Sequence, residues 1–146
     1  MIYTLDTNVV VDALRQPSEM EQLKAFLAWA LPVTVLSSVV VAELAAGART
    51  ERARRALDEG LVGAFDRRAR IHAPSRRAWH RTGAALGRIG ASGVSASRQN
   101  DMLLAFQARE VGWMLITRDQ DFAALRSVVR GLKVAASFPM RPTSRG

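Results

Sequence analysis

Cysteine is absent from this chain, which removes disulfides, cysteine–zinc sites and thiol chemistry at once. A cysteine-free chain also fits a reducing compartment. Histidine is scarce, and neither His72 nor His80 sits in a spacing used by histidine metal sites or by a nucleophile–base pair. Long apolar runs are missing: the stretches at 25–36 and 39–46 are too short or too interrupted to span a bilayer. The opening residues carry no basic region, and their apolar run breaks at Asp6, unlike a secretion signal. These absences lead to the expectation of a cytoplasmic protein with no membrane association. Phosphate-loop and dinucleotide glycine patterns are absent as well, which excludes the common nucleotide-binding motifs. Acids are in the minority, 13 against 21 basic residues, for a formal net charge of +8. All the basic residues except Lys24 and Lys133 are arginine. Such a balance favours polyanionic partners, and the forked guanidinium suits phosphates.

What is present is an alternation of short β-rich runs and longer helical patterns. Residues 2–5, 33–36, 69–73, 113–117 and 132–136 read as buried strands. Between them, helices are expected over 7–15, from Ser18 to about Leu31, and over 39–47, 50–65, 75–90, 99–111 and 121–127. Leu23, Phe26, Leu27, Ala30 and Leu31 recur at helical intervals and form a core face. Gly83, Gly87 and Gly90 fall on nearly one face of a single helix, at a cost of about 1 kcal/mol each. Residues 91–97 read as a loop of small residues. The order predicts an α/β fold in three layers, with a mainly parallel central sheet and helices on both faces. One domain is expected over residues 1–137, followed by a frayed basic tail over 138–146.

In a parallel sheet the carboxyl ends of the strands share one edge, where ligands bind. Acids stand where that edge would gather them. Asp6 follows the first strand, and Asp119 follows the strand at 113–117, with Asp121 two residues beyond. Glu43 lies on the helix after the second strand, in an otherwise apolar run, and Asp101 opens the helix before the 113–117 strand. Each has a plainer reading. Asp6 and Asp101 suit helix caps, Asp119 and Asp121 suit turns, and Glu43 suits a solvent stripe. Gathered together, carboxylates repel unless cations neutralise them, and an all-oxygen ligand set selects magnesium or manganese.

Four segments in order carry a family resemblance. Asp6-Thr7-Asn8 resembles the opening motif of PIN domains. The segment from Ser37 to Leu44, with its Glu43, resembles the second motif. Asn100-Asp101-Met102-Leu103-Leu104-Ala105 is similar to the third, and Thr117-Arg118-Asp119-Gln120-Asp121-Phe122 to the fourth. The small stand-alone format points within that family to VapC-type toxins of toxin–antitoxin pairs. The resemblance implies a metal-dependent endoribonuclease using Mg2+, with Mn2+ as a substitute, in which water attacks the RNA phosphodiester. Carried over, Asp6, Glu43, Asp101 and Asp119 form the metal site and catalytic set, with Asp121 a fifth acid. Asn8 and Thr117 orient carboxylates or substrate. The expected partners are RNA, a cognate antitoxin and a second copy of the chain in a homodimer. Arg49, Arg98 and Arg118 are the RNA-contact candidates. The alternatives are a PIN-like module that binds nucleic acid or a partner without cutting, and an RNA-processing PIN nuclease. The segment before Asp101 lacks the extra acids some relatives carry, which bears on a second metal position.

Overall fold

The computed structural model describes residues 1–90 and 96–144. Its elements alternate as the sequence pattern requires. Strand β1 (Tyr3–Leu5) is followed by helices α1 (Thr7–Arg15) and α2 (Pro17–Ala30), and then by β2 (Thr34–Ser37). Helices α3 (Ser38–Gly47), α4 (Glu51–Glu59) and α5 (Leu61–Asp66) lead to β3 (Ile71–His72). Helices α6 (Arg76–Ile89) and α7 (Ala96–Val111) precede β4 (Met114–Ile116), and α8 (Asp121–Leu125) precedes β5 (Lys133–Ala135).

The five strands form one parallel sheet in the order β3-β2-β1-β4-β5. The chain therefore builds outward from β1 through β2 to β3, and then crosses back to the other side of β1. Right-handed crossovers place the helices before and after that reversal on opposite faces. The reversal leaves a crevice beyond the carboxyl ends of β1 and β4, the position where such sheets bind ligands. This is the three-layer α/β architecture the sequence predicts, with parallel strands and both faces covered.

Burial follows from that layering. Leu5, Leu36, Leu115 and Ile116 are buried strand residues, and Phe65 and Phe122 fill the space against them. Helix α7 enters the core outright, since every residue from Met102 to Ala108 is buried. Asp101 is thus the last residue before α7 sinks into the interior. Tyr3, Phe26 and Trp29 meet edge to face, and Phe138 stacks on Phe26 at 5.0 Å.

Local chemistry explains where the elements differ from expectation. The single helix expected over 50–65 is two helices broken at Gly60, whose ψ of −117° leaves the helical region. A Cβ there would lie 2.5 Å from the Ala56 carbonyl oxygen, so only glycine fits the bend. Helix α2 starts at Pro17, one residue before the expected Ser18. Proline suits a first helical position because its missing N–H has no partner there. Residues 96 and 97, expected in the small-residue loop, already belong to α7; positions 91–95 lie outside the described residues. Among the described residues, no helix is long and apolar enough to cross a membrane.

One buried polar link was not legible in the pattern. Ser37 at the end of β2 donates to Gln107 Oε1 (2.5 Å), and Gln107 Nε2 donates to the His72 carbonyl (3.0 Å). Gln107 thus ties α7 to the ends of β2 and β3, just beneath the carboxyl edge. Replacing it by leucine takes away the acceptor of the buried Ser37 O–H and the side-chain donor to the His72 carbonyl. Gln107→Leu is expected to lose about 1–3 kcal/mol of stability, measured by denaturant unfolding against the wild type.

Candidate metal centre at the carboxyl edge of the sheet

Asp6 is the first residue after β1 and is buried. Its Oδ1 accepts from the Thr7 backbone N–H at 2.8 Å, so it does cap α1, as its plainer reading had it. Its Oδ2 accepts from the Thr117 hydroxyl at 2.7 Å. Capping and site membership are therefore compatible, because the cap fixes the direction in which the carboxylate points. Thr117, the first residue past β4, is equally buried. Its oxygen also accepts from the Asp119 N–H at 3.1 Å and from Asn8 Nδ2 at 3.4 Å. With one proton given and two accepted, this hydroxyl is saturated and locks β1 to the segment beyond β4.

Glu43 projects from α3 and accepts from the Thr7 hydroxyl at 2.9 Å. Thr7 is therefore a positioning residue that the sequence reading passed over, although it stands at the centre of the Asp6-Thr7-Asn8 motif. The signal was its hydroxyl at the first turn of α1, facing whatever packs across it. Asp119 uses Oδ1 to accept from the Asp121 N–H at 2.9 Å, which starts α8 and holds the Asp119 carboxylate in place. Asp121 itself is exposed.

The acids feel one another. Burial pushes the Asp6 carboxyl up to about 6; hydrogen bonds from Thr117 and Thr7 oppose the rise, and the charges of Glu43 and Asp119 add to it. Asp101 rises to about 7, first through burial and then through repulsion from Asp6, Glu43, Asp119 and Asp121. The fold thus brings the other four predicted acids within electrostatic reach of Asp101. Among the described residues, the ion pairs of known geometry lie elsewhere: Arg55 with Glu51, and Arg118 with Glu19 and Asp12. Asn8 Oδ1 is buried beside Thr117 and has no hydrogen-bond partner among the described residues.

These groups fit a hard divalent cation. The donors are all oxygen, their repulsion is concentrated on Asp101, and a spare buried acceptor stands by. In this conformation no three of the acids, among the described residues, converge closely enough to enclose an ion. A cation bound there would have to draw the carboxylates inward.

The arginine candidates are placed differently. Arg49 is exposed in the connection between α3 and α4, and Arg98 is exposed one turn before Asp101 on α7. Arg118 is engaged: its guanidinium pairs with Glu19, lies 3.8 Å from Asp12, and sits 5.7 Å from the centre of the Phe138 ring. It fastens the segment before Asp119 to α1, α2 and Phe138.

The raised carboxyls set a stability profile. Asp6 and Asp101 hold their protons more tightly folded than unfolded. Their contribution is fully present below the ordinary value of 3.8 and is lost as pH rises through about 6 and about 7. The metal-free protein is therefore expected to melt at a lower temperature at about pH 8 than at about pH 5. Asp101→Asn should flatten that decline, and magnesium should restore the midpoint at the higher pH; thermal scans of both proteins check this.

Comparison with known proteins shows the family and the fold. The PIN domain family model matches residues 3–128. No curated protein sequence matches the chain at a significant level. Among solved structures, a chain of VapBC2 from Rickettsia felis, bound to a promoter DNA fragment, is 22% identical. It superposes with a TM-score of 0.60 over 92% of this chain and 98% of its own. A chain of a toxin–antitoxin complex from Klebsiella pneumoniae is 20% identical with a TM-score of 0.64, covering 94% of this chain and 99% of that one. A chain of DNA-bound VapBC from Salmonella typhimurium is 21% identical with a TM-score of 0.63, covering 92% and 98%. With the family model spanning all four carboxylate-bearing segments, the chain belongs to the PIN-domain family.

Proposed function

We propose that this protein is a divalent-metal-dependent endoribonuclease acting as the toxin of a VapC-type toxin–antitoxin pair. The observation that carries the reading is the placement of Asp6, Glu43, Asp119 and Asp121 at one end of the sheet, within electrostatic reach of Asp101, whose carboxyl is pushed up to about 7 by burial first and by those four charges second. A fold does not gather such repulsion without a use for it. Asp6, Glu43, Asp101 and Asp119 would hold the ion, with Asp121 at the margin. Bound there, magnesium or manganese supplies charge neutralisation for the phosphodiester and a nucleophilic water at neutral pH.

The chain's own residues do the rest. Thr117 and Thr7 fix the directions of the Asp6 and Glu43 carboxylates. Asn8 Oδ1 offers an acceptor to a water or a ribose hydroxyl. The excess of basic residues outside the cluster supplies countercharge for an RNA backbone, with Arg49 and Arg98 the exposed ones among the predicted contacts.

The antitoxin half of the reading has its own support. An apolar groove begins beside Glu43 and runs between α1 and α4, lined by Val11, Leu44, Ala53 and Leu57. A second groove, lined by Val10, Met20, Leu23 and Leu61, lies on the other side of Leu14, which is 60% exposed. An amphipathic segment of an antitoxin laid along these grooves would reach the carboxylates and silence them. The reading also includes a homodimer as the active form. The toxin–antitoxin complexes among the structural neighbours favour this format over RNA processing.

A PIN-fold module that binds without cutting draws on one observation, the spread of the acids in this conformation. Cleavage decides between the two. Purified protein incubated with total bacterial RNA should cut in magnesium or manganese, stop with chelator, and fail as Asp101→Asn. Thr7→Val should keep the fold and lose about 10–100-fold in activity through a misdirected Glu43. Cation binding without any cleavage would favour the binding module.

A further inference from the structure

We infer that the outer face of α6 is a rail for single-stranded RNA leading to the acidic cluster, an inference that rests on the ribonuclease reading. Helix α6 carries Arg76, Arg77, Arg81, Arg88 and His80, and no acid. Its inner face is small and buried, through Ala78, Thr82 and Ala85. Arg77, Arg81, Ala84 and Arg88 recur at intervals of four, three and four residues and form one line along the helix. Their axial spacings of about 6 Å and about 10 Å are on the scale of neighbouring phosphates in an extended strand. Arg76, Arg77, His80 and Arg81 also line a shallow recess with Ala84.

These arginines are uncommitted. Elsewhere Arg54, Arg68, Arg70 and Arg109 bind backbone carbonyls, and Arg55 and Arg118 pair with acids. None of the four on α6 makes a side-chain hydrogen bond or ion pair among the described residues. Beside the line, Gly83 and Gly87 face open space, where a Cβ would meet nothing within 4 Å. Packing inside this chain does not require them, yet each weakens the helix. They leave a smooth floor on which a sugar–phosphate backbone can lie close. Past that floor stands Trp79, 53% exposed, a broad platform for a base.

The rail points at the site. Ser75, which caps α6, donates to the Glu110 carboxylate near the end of α7 at 2.9 and 2.7 Å. The two helices pack along one another and run antiparallel. The half of α6 from Arg81 to Arg88 therefore lies level with the first turns of α7, which carry Asp101. A second copy of this chain is the wrong occupant, because two-fold pairing of an acid-free helix would set arginine against arginine. A polyanion with flat bases matches both the charge and the tryptophan.

The test is binding, measured apart from cleavage. Full-length Asp101→Asn protein is titrated, in chelator, with a single-stranded uridine oligomer of about 20 nucleotides over a range of salt. Added to it, Arg77→Gln/Arg81→Gln/Arg88→Gln should weaken binding at least tenfold and reduce the salt slope by about 2. Arg130→Gln/Lys133→Gln/Arg141→Gln removes the same charge elsewhere and should do less than half as much. Trp79→Ala should cost about fivefold or more with the slope unchanged. Circular dichroism confirms that each variant is folded. Equal effects of the two triple variants would overturn the rail. So would a loss confined to duplex DNA, an α6 variant that alters the sedimenting mass, or a parent protein that binds no RNA. Because no cutting is read, a wild type that binds on α6 and never cleaves would retire the ribonuclease reading and leave the rail standing.

Discussion

Mutual repulsion among carboxylates at one end of a parallel sheet is the constraint to which the rest of this structure answers. Asp6 sits at the end of the central strand and Asp119 beyond its neighbour, while Glu43 and Asp101 come in on helices from either side. The core must be rigid enough to keep them near one another without a compensating cation. The buried stretch of α7 from Met102 to Ala108 and the threonine links from Thr7 and Thr117 provide that rigidity. Burial first, and the neighbouring charges second, raise the affinity of Asp101 and Asp6 for protons. A group that holds a proton too tightly for its type is one that a divalent cation can displace it from. Protonation and metal are two answers to the same crowding.

Charge is partitioned around that centre. With the five candidate acids set aside, eight acids remain against 21 basic residues, so the outer surface is strongly positive about a negative pocket. The basic residues divide into those that brace the fold and those left for a ligand. Arg118 braces, since Glu19, Asp12 and Phe138 surround it close to Asp119. The line on α6 does not. A polyanion entering this field is drawn to the surface first and meets the carboxylates only where a cation has neutralised them.

Much of this was legible in the sequence because it depends on local pattern. All five strands fall on the short runs read as strands between helices, and Asp6 and Asp119 follow β1 and β4 within three residues. The match of residues 3–128 to the family model bears out the PIN resemblance. What escaped depends on distance through space. Gln107 looks like any polar residue on a helix until β2 and β3 are brought beneath it. The partnership of Thr7 with Glu43 spans 36 positions and leaves no periodic trace. Gly60 lies inside the single helix expected over 50–65, and the clash a side chain would make with Ala56 exists only in the folded bend.

Proton release on metal binding tests the central claim most directly. Magnesium or manganese is titrated into weakly buffered protein near neutral pH, and the protons set free per ion bound are counted. The raised carboxyls of Asp101 and Asp6 predict a substantial fraction of a proton released per ion near pH 7, growing toward pH 6; in Asp101→Asn the release near pH 7 should fall to the small share left to Asp6. Ion binding with no proton release, or with release indifferent to Asp101→Asn, would contradict the account and place the cation somewhere other than this cluster.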